Sequence, residues 1–238
     1  MNKGKLYLIP VPLSIDSPFG WDAYSLSIIS QIRHFIVEEI RTARKFLRIA
    51  MPTFPIDECN FQILNEHTPN ENIDHMLEEV IEGQDIGLMS EAGVPSIADP
   101  GAYIVALAHR HNIRIIPLSG SSSIILALAS SGFNGQNFCF NGYLPIEKNA
   151  RKQHILELEQ RSRHQTQIFM ETPYRNLKLY SSLLQFCQPQ TGLCIAAGLL
   201  SSNEFIRTME IEHWRNFSPP IHKIPAIFLL GNMMSISR

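Results

Sequence analysis

Apolar residues recur along the chain in two alternating patterns, one typical of strands and the other of helices. The run LYLIPV (6–11) predicts a buried first strand, and apolar runs at 85–90 and 113–120 predict two more. Residues 70–84 have the spacing of an amphipathic helix and precede the second of these strands. Strands that alternate with helices predict an α/β fold with a largely parallel sheet.

The remaining segments of the first half are predominantly helical. Residues 22–50 have helical apolar spacing, except that HFIV (34–37) predicts a short strand between two helices. Helices are also predicted at 103–112 and at 122–132, and the second of these is rich in small residues that allow close packing on a sheet. The helix at 70–84 has one apolar side, formed by Ile73, Met76, Leu77, Val80 and Ile81.

The second half of the chain has a different pattern, which begins near FNGYLP (140–145). A long polar helix at 148–163 and a helix at 174–187 are predicted there. Strands are predicted at 167–171, 193–198, 205–213 and 225–230. We therefore expect two domains, an N-terminal α/β domain over 1–118 and a C-terminal α+β domain over 119–238.

Composition narrows the possible function classes. Apolar residues make up 45% and charged residues 18% of the 238 residues, as in ordinary soluble globular proteins. The formal net charge of −2 gives no overall attraction to nucleic acid, so an RNA partner requires a local basic patch. No apolar stretch approaches the roughly 18 residues of a membrane span, so we expect a cytoplasmic protein that is neither exported nor membrane-bound.

The four cysteines give no sign of a disulfide framework or a metal site. They form neither a CxxC pair nor a cluster with histidines, and they are Cys59, Cys139, Cys187 and Cys194. We expect reduced thiols and no metal.

Two conformationally constrained turns follow two predicted strands that are successive in the sequence. The first, SEAGVPSIADPG (90–101), concentrates glycine, proline and small residues, and the second, PLSGSSS (117–123), carries four serine hydroxyls. Open α/β sheets bind ligands outside the carboxyl ends of their strands. A single turn of this kind is as often a simple connection between strand and helix, but two in succession favour a ligand pocket.

The chemistry of these turns restricts the ligand. Neither turn contains GxGxxG or GxxxxGK[ST], so a dinucleotide or a nucleoside triphosphate has no specific support. Glu91 would also repel a polyphosphate placed on the first turn. A neutral or cationic ligand fits better.

The segment SEAGVPSIADPGAYIVALAHRHNIRIIPLSGSSSIILALASSGF (90–133) resembles a motif of the tetrapyrrole methylase superfamily, SDAGxPxISDPG followed by a strand, LPGPSA and a small-residue helix. Within the superfamily, the chain most resembles the branch that 2′-O-methylates small-subunit ribosomal RNA. Further similarity covers almost the whole chain, in GKLYLIPVP, VEEIRTARKFL, NEHTPNENI, FNGYLP and METPYRNL, and more loosely in EFIRTMEIEHW and KIPAIFLL.

The resemblance implies a homodimer that binds S-adenosylmethionine in a cleft between two α/β domains. The fold of this superfamily is unrelated to that of the Rossmann-type methyltransferases, which agrees with the absence of a GxG motif after the first strand. Glu91 stands where the family usually has Asp, and a carboxylate there suits the positive sulfonium. The implied cofactor contacts, by matching position, are Glu91, Val94, Ser122, Ser123, Met170, Ala197, Pro225 and Ala226.

The acceptor side is implied by two other matching segments, which contain Glu38, Arg41, Arg44, Glu66 and His67. A ribose hydroxyl must lose its proton during methylation, and Glu38 or His67 can accept it. Arg41 or Arg44 can hold a phosphate or the ribose. The alternative for each residue is an exposed helix face with surface ion pairs.

Three segments depart from the family pattern. PLSIDSPFGW stands in place of a segment with PIGN, EEIRT replaces EDTRH, and AAGLLSS replaces ARELTK. The second change removes a histidine and the third removes an acid, an arginine and a lysine, in segments that would face the acceptor. A tetrapyrrole or other small-molecule acceptor therefore stays open, as does a non-catalytic paralogue that binds S-adenosylmethionine or RNA.

A basic segment in the second half offers a local phosphate-binding surface. EKNARKQHILELEQRSR (147–163) contains Lys148, Arg151, Lys152, Arg161 and Arg163. A solvated helix face is the alternative, since Glu157 and Glu159 partly neutralise these cations.

Overall fold

The computed structural model describes residues 3–14, 21–65, 68 and 73–233. The chain forms two compact units, Met1–Ser122 and Ser123–Arg238. Within the described ranges, no helix is long and apolar enough to cross a membrane.

The first unit contains a five-stranded sheet. Its strands are β1 (Lys5–Leu8), β2 (His34–Val37), β3 (Asn60–Ile63), β4 (Ile86–Met89) and β5 (Arg114–Pro117). They lie in the order β3, β2, β4, β1, β5, and every adjacent pair is parallel. The helices are α1 (Ala23–Ile29), α2 (Ile40–Ala50), α3 (Glu78–Ile81) and α4 (Gly101–Arg110). The predicted parallel α/β arrangement is confirmed, including the short strand at 34–37.

Helices cover both faces of this sheet, which explains why its central strands are continuous apolar runs. Successive residues of a strand point to opposite faces. Ile36 of β2 packs in a cluster with residues of α3 and α4, whereas its neighbour Phe35 packs in a second cluster with residues of α1 and α2. The carboxyl ends of the strands are left for the connecting turns.

The second unit contains a mixed five-stranded sheet. Its strands are β6 (Phe138–Tyr143), β7 (Thr166–Glu171), β8 (Gly192–Ala197), β9 (Phe205–Glu210) and β10 (Ala226–Gly231). They lie in the order β6, β7, β10, β8, β9; only β6 and β7 are parallel, and the other pairs are antiparallel. The helices are α5 (Ser123–Ser131), α6 (Lys148–Ser162), α7 (Asn176–Phe186) and α8 (Ile211–Trp214).

Trp214 anchors the core of the second unit. Its ring is fully buried, and its indole Nε1 donates to Leu193 O at 2.9 Å. The Tyr180 hydroxyl donates to Trp214 O at 2.6 Å, so α7 and α8 are joined by a hydrogen bond as well as by ring packing. These polar partners explain how two large rings with polar atoms are accommodated in an apolar core.

Several predicted boundaries are wrong. The strand expected at 205–213 ends at Glu210, because the chain turns into α8 to bury Trp214. The strand expected at 6–11 ends at Leu8, since Pro10 has no N–H to continue the ladder. The described part of the helix expected at 70–84 is a 3₁₀ turn (Asp74–Leu77) followed by α3. The edge strands β3 and β6 were not predicted.

One cation of the basic segment does not lie on the surface. Arg151 is only 4% exposed, and its guanidinium donates to Ile146 O at 2.7 Å and to Ser182 Oγ at 3.2 Å. It therefore joins α6 to α7, and the phosphate-binding role suggested for Arg151 is wrong.

Candidate cofactor and acceptor site

The turn after β4 is fixed at its start by a pair of backbone hydrogen bonds. Val11 N lies 2.8 Å from Gly93 O, and Gly93 N lies 2.8 Å from Val11 O. Gly93 is buried with a φ of +79°, a left-handed conformation that glycine adopts without strain. The turn therefore has a defined backbone position at the carboxyl end of the sheet.

The carboxylate of Asp99 organises the rest of this turn. It accepts hydrogen bonds from Ser96 N at 2.9 Å and from Gly101 N, the first residue of α4, at 2.7 Å. Ser96 and Ala98 have φ values of +71° and +64°, which residues other than glycine rarely adopt. Burial raises the pKa of Asp99, although the two backbone hydrogen bonds oppose this rise. The hydrogen bonds offset the backbone strain and hold one turn conformation.

Glu38 joins the neighbouring strand β2 to the same turn. It directly follows Val37, and its carboxylate accepts a hydrogen bond from Glu91 N at 2.5 Å. Partial burial raises the pKa of Glu38 and the charges of Asp99 and Glu91 add to the rise, whereas the hydrogen bond from Glu91 N lowers it. Three carboxyl groups thus interact at this turn, which contains no basic residue between positions 90 and 101.

The turn after β5 lies beside the first turn. A Cβ built on Gly93 would lie 3.8 Å from Ser121 O. A Cβ on Gly120 would approach Pro10 Cβ to 2.2 Å, so only glycine fits there. Val94 on the first turn and Ser122 on the second are both half-buried. The two turns singled out by the sequence are therefore neighbours at one end of the parallel sheet.

In the second unit, four of the residues expected to contact the cofactor lie at one edge of the mixed sheet. Ala226 begins β10 and is paired with Glu171 at the end of β7 and with Ala197 at the end of β8. Met170 precedes Glu171, and Pro225 precedes Ala226. The antiparallel pairing thus brings Met170, Ala197, Pro225 and Ala226 together from three distant parts of the sequence.

Ser123 is the first residue of α5, which packs on β8, β9 and β10. Beyond the other end of the helix, Phe133 lies against the paired glycines Gly192 and Gly231. This glycine pair marks the sheet edge opposite to Ala197 and Ala226. Nine helical residues extend about 13 Å, so Ser123 lies at the end of α5 that is distant from Phe133 and the glycine pair.

The sequence did not predict a partly buried ion pair at that end of the sheet. The side chain of Glu171 is 3% exposed, and its carboxylate accepts hydrogen bonds from Arg175 Nε at 2.9 Å and Nη2 at 2.6 Å. Thr172 N donates to the same carboxylate at 2.7 Å. METPYRNL was noted only for its family similarity, and because Glu171 ends β7 while Arg175 lies in the following 3₁₀ turn, the i, i+4 spacing of helical ion pairs gave no signal for this contact.

The expected acceptor residues Arg41 and Arg44 lie on α2, which begins two residues after Glu38. Arg44 Nη2 pairs with Asp57 Oδ1 at 2.6 Å, and its guanidinium lies 5.9 Å from the centre of the Phe61 ring. Arg41 is exposed. The other two acceptor-side residues, Glu66 and His67, lie outside the described residues.

The first unit thus has a parallel sheet covered on both faces and an acidic, hydrogen-bonded turn at the carboxyl ends of its strands, and the second unit has its own cluster of small residues at one end of its sheet. The family model for tetrapyrrole (corrin/porphyrin) methylases matches residues 27–213. The chain belongs to this family, and it is a methyltransferase that uses S-adenosylmethionine.

Similar proteins come from several bacteria. Proteins named ribosomal RNA small subunit methyltransferase I are 29% identical in Vibrio cholerae, over 87% of this chain and 68% of that protein, and 31% identical in Synechocystis, over 84% and 69%. The protein of that name from Pseudomonas aeruginosa is 28% identical over 90% of this chain and 74% of its own length.

Two solved structures share the fold. The methyltransferase CobJ has a TM-score of 0.63 at 14% identity, covering 96% of this chain and 94% of that one. The uroporphyrin-III C-methyltransferase of Thermus thermophilus has a TM-score of 0.53 at 17% identity, covering 97% and 93%. At these identities the likeness concerns the fold alone, and it confirms the expected two-domain tetrapyrrole-methylase fold.

Proposed function

We propose that the protein methylates a ribose 2′-hydroxyl of small-subunit ribosomal RNA. The observation that carries this proposal is the similarity, over 84 to 90% of the chain, to proteins named ribosomal RNA small subunit methyltransferase I. The rigid turn at 90–101 adds support, because the family's methyl donor is a cation and the turn carries only acidic charges.

The cofactor is proposed to bind at Glu91, Val94, Ser122, Ser123, Met170, Ala197, Pro225 and Ala226. When bound, S-adenosylmethionine supplies an electrophilic methyl group on a positively charged sulfur. The carboxylate of Glu91 favours this charge, with Glu38 and Asp99 adding to the negative potential at the turn. Val94, Ala197 and Ala226 contribute shape and backbone groups, since their side chains cannot hydrogen-bond.

The acceptor is proposed to lie near Glu38, Arg41, Arg44 and His67. Methylation of a hydroxyl releases its proton, so the site needs a proton acceptor, and Glu38 or His67 can serve. Arg41 is exposed and available for a phosphate, and Arg44 is held in place by Asp57 and Phe61. Comparing the pH–rate profiles of Glu38→Gln and His67→Asn would identify the base.

The family resemblance also supports a cytoplasmic homodimer acting on the small ribosomal subunit or its RNA. Light scattering on the purified protein checks the dimer: a mass near twice 27.0 kDa is expected, and a mass near 27.0 kDa would contradict it.

The proposed reaction is tested by mapping ribose methylation of small-subunit RNA in cells with and without the gene. We expect the deletion to remove a 2′-O-methyl mark, and wild-type protein or Glu82→Lys, a change at an exposed position, to restore it. Glu91→Lys should fail to restore it, because it places a cation at the site proposed for the sulfonium. If the deletion leaves every ribose mark unchanged, the acceptor is not ribosomal RNA.

A further inference from the structure

The outer side of α2 is strongly basic. Four of its eleven residues are cations and none is acidic, in a chain whose acidic residues outnumber Lys and Arg by 22 to 20. Arg41, Lys45 and Arg48 are spaced at i, i+4 and i+7, which places them along one side of the helix, and all three are exposed. We call these three residues the basic face.

Among the described residues, no nearby acid forms an ion pair with the basic face, although the charge of Arg41 contributes, after the backbone hydrogen bonds from Arg41 and Thr42, to lowering the pKa of Glu39. The carboxylate of Glu39 is used at the start of α2, where it accepts a hydrogen bond from Thr42 N at 2.6 Å. Asp57 is paired with Arg44, and Glu58 lies 3.9 Å from Arg33. Among described residues, no carboxylate lies within 4.0 Å of the basic-face cations. Ordinary solvated helix faces mix both signs of charge, so this face is unusual.

The same surface is concave and partly apolar. A depression of about 680 Å³ is lined by the basic face together with Glu39, Ile40, Arg44 and Ile49. Ile49 is 51% exposed within this basic surface. Cations beside apolar side chains suit a polymer that presents both phosphates and bases or sugars.

We propose that the basic face binds backbone phosphates of the RNA strand next to the methylated nucleotide. This inference rests on the proposed function. Arg41 lies three residues from Glu38, and Arg48 is about 10 Å further along the helix axis, roughly the length of three nucleotides at 3.4 Å each. The face therefore leads away from the proposed acceptor residues in the way that a bound strand would continue.

The basic face is tested with the double variant Lys45→Gln/Arg48→Gln, because neither residue belongs to the proposed catalytic or cofactor set. The probe is small-subunit ribosomal RNA from cells lacking the gene, with binding measured between about 50 and 400 mM salt. Each lost phosphate contact lowers the slope of log affinity against log salt by about 0.7 on single strands, so we expect a decrease of about 1.4. We also expect affinity to fall about tenfold, with KM for RNA raised and kcat and S-adenosylmethionine affinity unchanged.

The matched control is Lys152→Gln/Arg161→Gln, which removes two exposed cations of α6 and should keep the wild-type slope. If Lys45→Gln/Arg48→Gln keeps the wild-type slope and affinity, the basic face does not bind RNA phosphates, while the proposed function stands. Loss of RNA binding in Lys152→Gln/Arg161→Gln alone would also contradict RNA binding by the basic face. If the wild type neither binds nor methylates the RNA, the proposed function fails, and this inference fails with it.

Discussion

Asp99 has the most connected carboxylate of the turn at 90–101. It accepts hydrogen bonds from the backbone amides of Ser96 and Gly101, and Ser96 itself and Ala98 have left-handed backbone conformations. Such conformations persist only where neighbouring interactions impose them. The shape of the turn therefore depends on one side chain, and ligand affinity should depend on it too.

Asp99→Ala removes the carboxylate that accepts both backbone hydrogen bonds, but the strained backbone conformations of Ser96 and Ala98 remain. We expect the free energy of unfolding to fall by about 1 to 2 kcal/mol, as for the loss of a helix cap, and the affinity for S-adenosylmethionine to fall at least about tenfold. Urea unfolding and calorimetric titration measure the two effects. Asp74→Ala, at an exposed position, is the control; equal behaviour of the two variants would contradict this role of Asp99.

Glu38 gives the protein a pH-dependent component of stability. Its pKa is raised in the folded state above the ordinary 4.5, mainly by burial. The folded protein thus favours the protonated carboxyl, so this contribution is complete below the ordinary pKa and is lost as the pH rises through the higher folded-state value.

Glu38→Gln should remove this component, since an amide oxygen still accepts the hydrogen bond from Glu91 N and carries no charge. We expect the variant to gain stability relative to wild type as the pH rises from about 4 to about 7. Urea unfolding at both pH values measures the difference, with Glu82→Gln as an exposed control. Parallel pH profiles of wild type and Glu38→Gln would show that burial at Glu38 has no such effect.

At the scale of elements, α5 is positioned by glycines of the sheet beneath it. A Cβ on Gly231 would lie 2.6 Å from Cγ of Phe133, just beyond the C-terminal end of α5. The same ring lies 3.0 Å from a Cβ built on Gly192. These contacts hold the C-terminal end of α5 close to the sheet.

Gly231→Ala should therefore overpack the contact with Phe133 and lower the free energy of unfolding by about 1 to 3 kcal/mol. Gly135→Ala is the matched control, because no atom lies within 4 Å of its built Cβ. Thermal unfolding compares the two variants. Equal melting temperatures would mean that the helix can shift without loss.

Elements with a strong apolar pattern could be predicted, and those defined by distant packing could not. HFIV predicted β2 because three consecutive apolar residues after a histidine, between two helices, suit a buried strand. β3 was missed because its residues, NFQI, lie at the edge of the sheet and none is buried. α8 was missed because its four residues continue an apparent strand, and only burial of Trp214 turns the chain.

The candidate site likewise contains features that a local sequence pattern predicts and features that depend on contacts between distant residues. Glycine and proline marked the two turns, since tight turns need these residues locally. The hydrogen bond from Glu91 N to Glu38 joins positions 53 residues apart, and no local pattern reports such a contact. The same holds for Ala197 and Ala226, which only the pairing of β8 with β10 brings together.

For the whole molecule, a bound cofactor should raise stability by mass action. At 100 times the dissociation constant, a ligand that binds only the folded state adds about 2.7 kcal/mol, or about 5 to 10 °C in Tm for a chain of this length. S-adenosylmethionine should produce such a shift in wild type and not in Glu91→Lys. ATP should produce none, because the acidic turn repels a polyphosphate; a shift with ATP alone would contradict the proposed site.

The distribution of charge over the whole molecule determines how the protein can attract RNA. The chain is nearly neutral, so attraction to RNA must come from a local surface, and α2 concentrates four cations within eleven residues. RNA binding should therefore weaken as the salt concentration rises, because it depends on this local cluster of cations and not on the net charge of the protein.

The most direct test is methyl transfer by the purified protein from labelled S-adenosylmethionine to small ribosomal subunits taken from cells that lack the gene. We expect label in the RNA, at a position that resists alkaline cleavage because its 2′-oxygen is methylated. Absence of label from the RNA, or label on a base instead of a ribose, would contradict it.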